Sequence, residues 1–392
     1  MTGRVSIGQR IRQVSWGWYA ISMSTGGIAL LLNQTPHQFT GLNIIGKIVF
    51  ILNLVVFSSI SIAMGIRFIS KSSTLKESFQ SPQETHFFPT CVLAIATIIM
   101  GISSYGTSSC GPWLLVALRV LFWLYVAIAT LVAIFHNWYL YHSCMASQQT
   151  FALLRLLPSF PAMLSGTMAS VLTSNQPVHH AKPMLIGGTT LQGFGFLMSL
   201  LVYAEYVFRA NKDGLPKALE RPEMFIAVGP WSFTAVALIG MAQVAVEKWP
   251  QRYIISVADT SSSSPTSVSA ADIALVIATL SAVFMWMMSF FFFCIAAIST
   301  IASCRVVKGK GKGELGMSMA WWSMVFPNTG FTLATIDIGE ALQSEGILWV
   351  TSVMTVLQVA VWLIVGAGTV WGVWNRELLW PAEVEGDDEK DR

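Results

Sequence analysis

The residues best suited to chemistry lie in one stretch, Trp321 to Leu342, WWSMVFPNTGFTLATIDIGEAL. It is apolar enough for lipid, yet Pro327 and Gly330 fall near its middle, with Asn328, Thr329, Thr332 and Thr335 around them. Proline lacks a backbone donor and frees the carbonyl one turn back, so a helix here is expected to kink and leave polar backbone groups unpaired. Hydrocarbon tolerates that only where neighbouring helices or a water-filled cavity satisfy the freed groups. Related compositions recur around Ser24, Thr25, Gly26 and Gly27, around Pro161, Ser165, Gly166 and Thr167, and around Gly229, Pro230, Ser232 and Thr234. Free N–H groups and the positive ends of half-helix dipoles supply partial positive charge, and hydroxyls add neutral donors. The chemistry this predicts is the holding and release of a small anion, because a site that conducts an ion must also let it go.

Bond-making chemistry finds little support. The chain contains no HExxH, GxSxG or P-loop pattern. His136 and His142 are spaced i, i+6 and do not share a helix face, while His179 and His180 are adjacent in a predicted loop. The cysteines Cys91, Cys110, Cys144, Cys294 and Cys304 lack metal-ligand spacing, and no structural disulfide is expected. The reading therefore includes no catalytic residue, metal, cofactor or nucleic-acid partner. A non-transporting sensor or scaffold is a third class, distinguished by binding without flux.

The elements that must position these residues are membrane helices. The chain is 54% hydrophobic and 11% charged, against about 25% charged in an ordinary soluble domain. Apolar runs of the length that crosses a bilayer fall near 14–33, 42–69, 88–104, 113–140, 157–177, 184–208, 224–246, 272–303, 317–337 and 347–372. The predicted fold class is thus an all-α integral membrane protein of ten transmembrane helices. Residues 1–13 form a cytoplasmic N-terminal segment, 14–375 the ten-helix transporter or channel domain, and 376–392 an acidic cytoplasmic tail. With a cytoplasmic N-terminus, eighteen Lys and Arg residues fall on the cytoplasmic side and only Lys182, Lys248 and Arg252 on the other. That bias puts both termini in the cytoplasm.

A repeat is visible in this series. Odd-numbered spans are rich in Pro, Gly, Ser and Thr and uncharged in their middles, whereas even-numbered spans are bulkier and hold Lys47, Arg119, His136 and Glu205. Prolines 89, 161, 230 and 327 recur at spacings of 72, 69 and 97 residues. Such periodicity argues for a repeated two-helix hairpin used five times. Five inner helices with five outer ones would enclose a central pore.

Four blocks also carry a resemblance: WGWYAISMSTGGIALLL from Trp16, ETHFFPT from Glu84, RPEMFIAVGPWSFTAVALIGMA from Arg221, and the WW-x-x-x-FP-x-T-x-x-x-x-AT pattern from Trp321. Together they resemble the tellurite-resistance/dicarboxylate transporter family, whose members are similar to voltage-dependent anion channels, and within it the fungal malic-acid permeases. The resemblance runs from about Trp16 to Trp374. It implies the five-hairpin fold, homotrimers with a pore in each protomer, a plasma-membrane location, and transport of small organic anions such as malate or succinate. Sulfite efflux, or another anion channel activity, is the alternative within the family. It also implies that Phe326 is the phenylalanine that plugs the pore; the other reading of Phe326 is a core aromatic at a helix contact.

Several residues keep two readings. Ser24, Thr25 and Gly26 suit either close helix packing or a water path, and the family block favours the path. Arg119 suits snorkelling to the interface or attraction of anions. Lys47 reads as a snorkelling side chain, Pro89 as a residue of a first helical turn, Thr90 and Thr97 as candidates for the lumen, and His136 as a satisfied polar group. The remaining candidates for the lining are Pro161, Ser165, Thr167, Pro230, Ser232, Thr234, Pro327, Asn328, Thr329 and Thr332.

Overall fold

A computed structural model describes residues 7–70, 73–143, 152–249, 269–307 and 317–380. The distal part of the acidic tail, most of the Ser-rich loop before Ala270 and the core of the basic loop after Arg305 lie outside the described residues. Ten long helices succeed one another: α1 Tyr19–Gln34, α2 Leu42–Ser70, α3 Pro82–Gly106, α4 Trp113–Leu131, α5 Phe160–Thr173, α6 Val178–Asp213, α7 Gly229–Lys248, α8 Ala270–Val307, α9 Phe326–Ala341 and α10 Glu345–Trp374. A π turn, Val132–His136, and the helix Asn137–His142 extend α4. Among the described residues there is no strand.

By length and apolarity, seven helical stretches suffice to cross a membrane. The expected spans that fall short are the first, fifth and ninth, whose α-helices have 16, 14 and 16 residues. Each is short because its entry is wound as a 3₁₀ segment, at Trp16–Trp18, Ala152–Leu156 and Met319–Met324. The seventh has the same entry over Ala218–Val228. Pro161, Pro230 and Pro327 then occupy the first turn of α5, α7 and α9. The expectation of a mid-helix kink at Pro327 is corrected accordingly: the missing N–H falls where a helix start would leave donors unpaired anyway, so the proline begins a helix. Pro89 departs in the opposite sense. The helix α3 starts at Pro82, with the Ser81 hydroxyl accepting from the Glu84 N–H, and Pro89 lies inside it.

Burial separates the odd from the even helices. In the apolar windows of α3 and of the stretch containing α7, 61% and 83% of residues are buried, against 17–28% in the even-numbered helices. Helix α1 packs on α3, α3 on α5, α5 on α7, α7 on α9, and α9 back on α1, closing a ring of five. Each even helix lies outside, against its own predecessor and the next member of the ring. Small residues permit the close approaches. A Cβ on Gly195 of α6 would stand 2.8 Å from the Met163 backbone nitrogen of α5.

Polar side chains of the outer helices serve the broken entries. Tyr125 on α4 donates its hydroxyl proton to the Pro161 carbonyl at 2.9 Å. Tyr203 on α6 donates to the Ala227 carbonyl at 2.5 Å, and Gln358 on α10 donates to the Val325 carbonyl at 2.6 Å. The Ser289 hydroxyl on α8 donates to the Val228 carbonyl at 3.3 Å. In a medium without water these carbonyls need such partners. Tyr203→Phe keeps the ring and removes the donor, so about 1–3 kcal/mol of stability should be lost. Thermal unfolding in detergent checks this, with Tyr141→Phe, an exposed site, as the control; an equal melting temperature for both variants would contradict the role.

Candidate functional site

Phe326, singled out by sequence, meets two other aromatic residues near the starts of α5, α7 and α9. Phe326 is the first residue of α9 and only 1% exposed. Its ring stacks on Phe233 of α7 at a centroid distance of 4.8 Å and meets the edge of Phe160, the first residue of α5, at 6.1 Å. Phe160 and Phe233 are in turn 5.9 Å apart. Since α5 and α9 are not neighbours in the ring, rings from these two helices meet in its interior. On the fourth side Gly27 of α1 makes room, as a Cβ there would lie 3.2 Å from the Phe326 ring. Gly229 likewise admits Phe160, whose ring edge would stand 2.8 Å from an added Cβ. Three helix amino ends, each with its partial positive charge, therefore surround one buried aromatic cluster.

Phe160 and Phe233 were not among the residues read from the sequence. The signal for Phe160 was available: Phe-Pro occurs at 88–89, 160–161 and 326–327, so the dipeptide that marks Phe326 also marks Phe160. Phe233 has no such mark, because its direction depends on the rotation of α7.

The hydroxyls occupy the expected helices but face different tasks. Ser232 donates to the Val228 and Gly229 carbonyls, Thr234 to Pro230, Thr329 to Val325, and Thr332 to Asn328. Asn328 donates through Nδ2 to the Met324 carbonyl at 2.8 Å, and its Oδ1 has no partner among the described residues. Thr167 crosses to the Phe233 carbonyl at 3.2 Å, and Thr234 also accepts from Gln192 Nε2 at 2.8 Å. In these arrangements the hydroxyl protons are engaged by backbone carbonyls, so an arriving anion meets oxygen lone pairs until a hydroxyl rotates. Giving up one such bond costs about 1 kcal/mol. Ser165 differs, being fully buried with an Oγ that has no partner among the described residues.

Other candidates turn away from the cluster. Thr25 donates to the Ile21 carbonyl, accepts from Trp362 Nε1 at 3.1 Å, and faces a groove between α2 and α10. Gly26 packs toward Thr97 and Asn53, with an added Cβ only 2.7 Å from Asn53 Nδ2. Ser24 reaches toward the Trp322 carbonyl at 3.5 Å. Thr90 donates to the Trp16 carbonyl at 2.9 Å and Thr97 to Ala94 at 2.8 Å. Arg119, on the outer helix α4, neighbours His180 and is not part of the ring. Lys47 is exposed, as a snorkelling side chain should be. His136 is only half satisfied: Nε2 lies 3.3 Å from the Thr85 hydroxyl, while Nδ1 has no partner among the described residues. Glu205 is ion-paired with Arg155 and Arg209, each at 2.6 Å.

At the carboxyl ends of the inner helices the ring opens into a cavity of about 700 Å³, lined by α1, α5, α7 and α9. An adjoining cavity of about 500 Å³ involves α1, α3 and α5. This mouth holds Ser170, Ser174 and Gln243 together with Glu247, Asp337 and Glu340. Helix carboxyl ends are also the negative ends of their dipoles, so the mouth is electronegative while the amino ends around Phe326 are not.

Comparison with known proteins follows this geometry. Residues 13–370 match the model of the voltage-dependent anion channel family. The malic acid transport protein of Schizosaccharomyces pombe is 32% identical over 381 residues, covering 97% of this chain and 83% of the relative. A second protein of that organism, named provisionally as a malic acid transport protein, is 34% identical over 385 residues, covering 98% and 85%. A sulfite efflux pump of Arthroderma benhamiae is 23% identical over 363 residues, covering 92% and 91%. The helices, several of them apolar enough to span a bilayer, and this match over nearly the whole length make the chain a multi-pass membrane protein that belongs to the voltage-dependent anion channel family.

Proposed function

We propose that the chain carries small organic anions across a membrane through the interior of the five-helix ring, with C4-dicarboxylates such as malate or succinate as substrates. The observation that carries this reading is the meeting of Phe326, Phe160 and Phe233 at the amino ends of three ring helices. A buried ring cluster closes the interior, and the surrounding helix ends offer an anion partial positive charge without a fixed cation to trap it. On this reading Phe326 is the gate residue. Ser165, Thr167, Ser232, Thr234, Asn328, Thr329 and Thr332 line the route on either side. Pro161, Pro230 and Pro327 fix where the positive helix ends fall.

The same proposal takes all ten helices as membrane-crossing, in five hairpins, with residues 14–375 as one unit. Both termini are cytoplasmic, the membrane is the plasma membrane, and the assembly is a homotrimer with one route per protomer. Malate is preferred to sulfite because the relatives named for malic acid transport are 32% and 34% identical, against 23% for the sulfite efflux pump. Flux of radiolabelled malate, succinate and sulfite into proteoliposomes, with and without a proton gradient, tests the substrate. Malate flux that sulfite competes with poorly is expected, and sulfite flux without malate flux would overturn the assignment.

Two variants test the route. Each contact between aromatic rings is worth about 0.5–1.5 kcal/mol beyond its buried area, and Phe326 makes one with each of its two partners. Removing both should lower the opening barrier enough for a roughly tenfold rise in flux, so Phe326→Ala should be a fast variant and Phe160→Ala a milder one. Unchanged or lower flux in folded, membrane-inserted Phe326→Ala would remove it from the gate. The acidic mouth makes the opposite electrostatic prediction to a basic funnel. Neutralising its exposed carboxylates with Glu247→Gln and Glu340→Gln should raise anion flux severalfold at low ionic strength and far less at high salt, where screening already hides the charges. Flux that falls, or a gain independent of salt, would contradict a mouth that repels its own substrate.

A further inference from the structure

We infer that the groove between α1, α2 and α10 is a binding site for one anionic phospholipid, from the leaflet on the side of the chain termini. The groove has a volume of about 1090 Å³ and lies outside the ring, on the face that looks toward lipid under the proposed function. Its wall is apolar, formed by Leu52, Val56, Ile60, Trp362 and Val370 among others. The hydroxyls along it are already engaged: Ser59 donates to the Val55 carbonyl, Thr25 to Ile21 and Thr369 to Val365. Such a wall offers an occupant hydrocarbon contact and nothing else.

One end is different. Arg10 and Arg376 line it, both beside the ring of Trp380, with their guanidinium carbons 4.3 and 5.5 Å from the ring centroid. Among the described residues neither arginine forms an ion pair, and the Nε of Arg10 is buried without an acceptor. Two guanidiniums held at one aromatic ring repel one another unless an anion lies between them, and a phosphodiester accepts from such a pair readily. Beyond them the groove follows α10 from Trp374 to Trp362, roughly 18 Å at 1.5 Å per residue. That is close to the depth of one leaflet, half of the roughly 30 Å hydrocarbon core. A cationic end joined to an apolar slot one leaflet deep matches an anionic headgroup with its acyl chain.

Native mass spectrometry of the full chain in detergent, offered dioleoyl phosphatidylserine or dioleoyl phosphatidylcholine, tests this with identical acyl chains. The unchanged protein should retain the serine lipid up to roughly thirtyfold better, the selectivity that two basic side chains supply at an anionic headgroup. R10Q/R376Q should still retain lipid but lose the preference. Gly366→Phe, placed where an added Cβ meets nothing nearer than the Trp322 ring at 4.0 Å, should fill the slot and reduce retention of both lipids. Equal retention of the two lipids by the unchanged protein would overturn the inference, as would an undiminished preference in R10Q/R376Q. So would cross-linking of Gly366→Cys to a second copy with lipid excluded. Anion flux measured on the same variants separates the two claims: the flux of R10Q/R376Q should persist whether or not lipid selectivity is lost.

Discussion

Everything in this architecture depends on one constraint, that a helix broken inside a membrane must have its backbone served by someone else. The inner helices α5, α7 and α9 start partway along their spans, after 3₁₀ segments. The carbonyls at those breaks cannot turn to water. The Thr329 N–H reaches the Val325 carbonyl and the Ser232 hydroxyl the Val228 carbonyl. In addition to these, Tyr125, Tyr203, Ser289 and Gln358 supply donors from the outer layer. This explains why the even-numbered helices, otherwise apolar and largely exposed, carry buried polar side chains on their inner faces. It also explains why the breaks can persist: each is a paired arrangement, so the amino ends of the helices stay fixed at one level.

From that constraint the electrostatics follow. Fixed amino ends put partial positive charge around the Phe160, Phe233 and Phe326 cluster without a single lysine or arginine in the ring at that level. The carboxyl ends, with the exposed carboxylates of Glu247 and Glu340, make the mouth negative. On the proposed route, an anion crossing such a profile gains at the constriction and is opposed at the mouth. Hydroxyls add less than their number suggests, because Ser232, Thr234, Thr329 and Thr332 have their protons on carbonyls. Ser165 differs from these four in having no hydrogen-bond partner among the described residues, so its hydroxyl can donate without first breaking a bond.

Much of this was legible in the sequence, and the reasons are physical. Pro161, Pro230 and Pro327 mark where backbone hydrogen bonding is interrupted, but whether a proline kinks a helix or begins one was not legible. Pro327 reads as a kink and begins a helix, whereas Pro89 and Pro183 lie inside helices. The alternation of small polar and bulky spans foreshadows burial, because an inner helix must approach four neighbours while an outer one faces lipid. The rotation of each helix was not legible. Thr25 and Gly26 belong to a helix buried on nearly all sides, so composition cannot tell which face meets the axis; Thr25 proved to face the outer groove and Gly26 the contact with α3 and α2. Pro89 misled for a related reason: the true start, capped by Ser81, lies upstream in a polar stretch that hydropathy alone does not count as membrane. The partnership of Phe326 with Phe160 and Phe233 joins residues far apart in the chain, and only the closed ring brings them together.

The account's central claim is that the aromatic cluster separates two aqueous compartments inside the ring. A cysteine in place of Ser165, which lies beyond Phe160 toward the mouth, gives the most direct measurement in a background without the five native cysteines. A charged, membrane-impermeant thiol reagent added from the side of the mouth should modify it whether or not Phe326 is intact. Added from the side of the termini, the reagent should react only when Phe326 is replaced by alanine. Equal reaction from the termini side in both backgrounds, or no reaction from either side in either background, would contradict the claim.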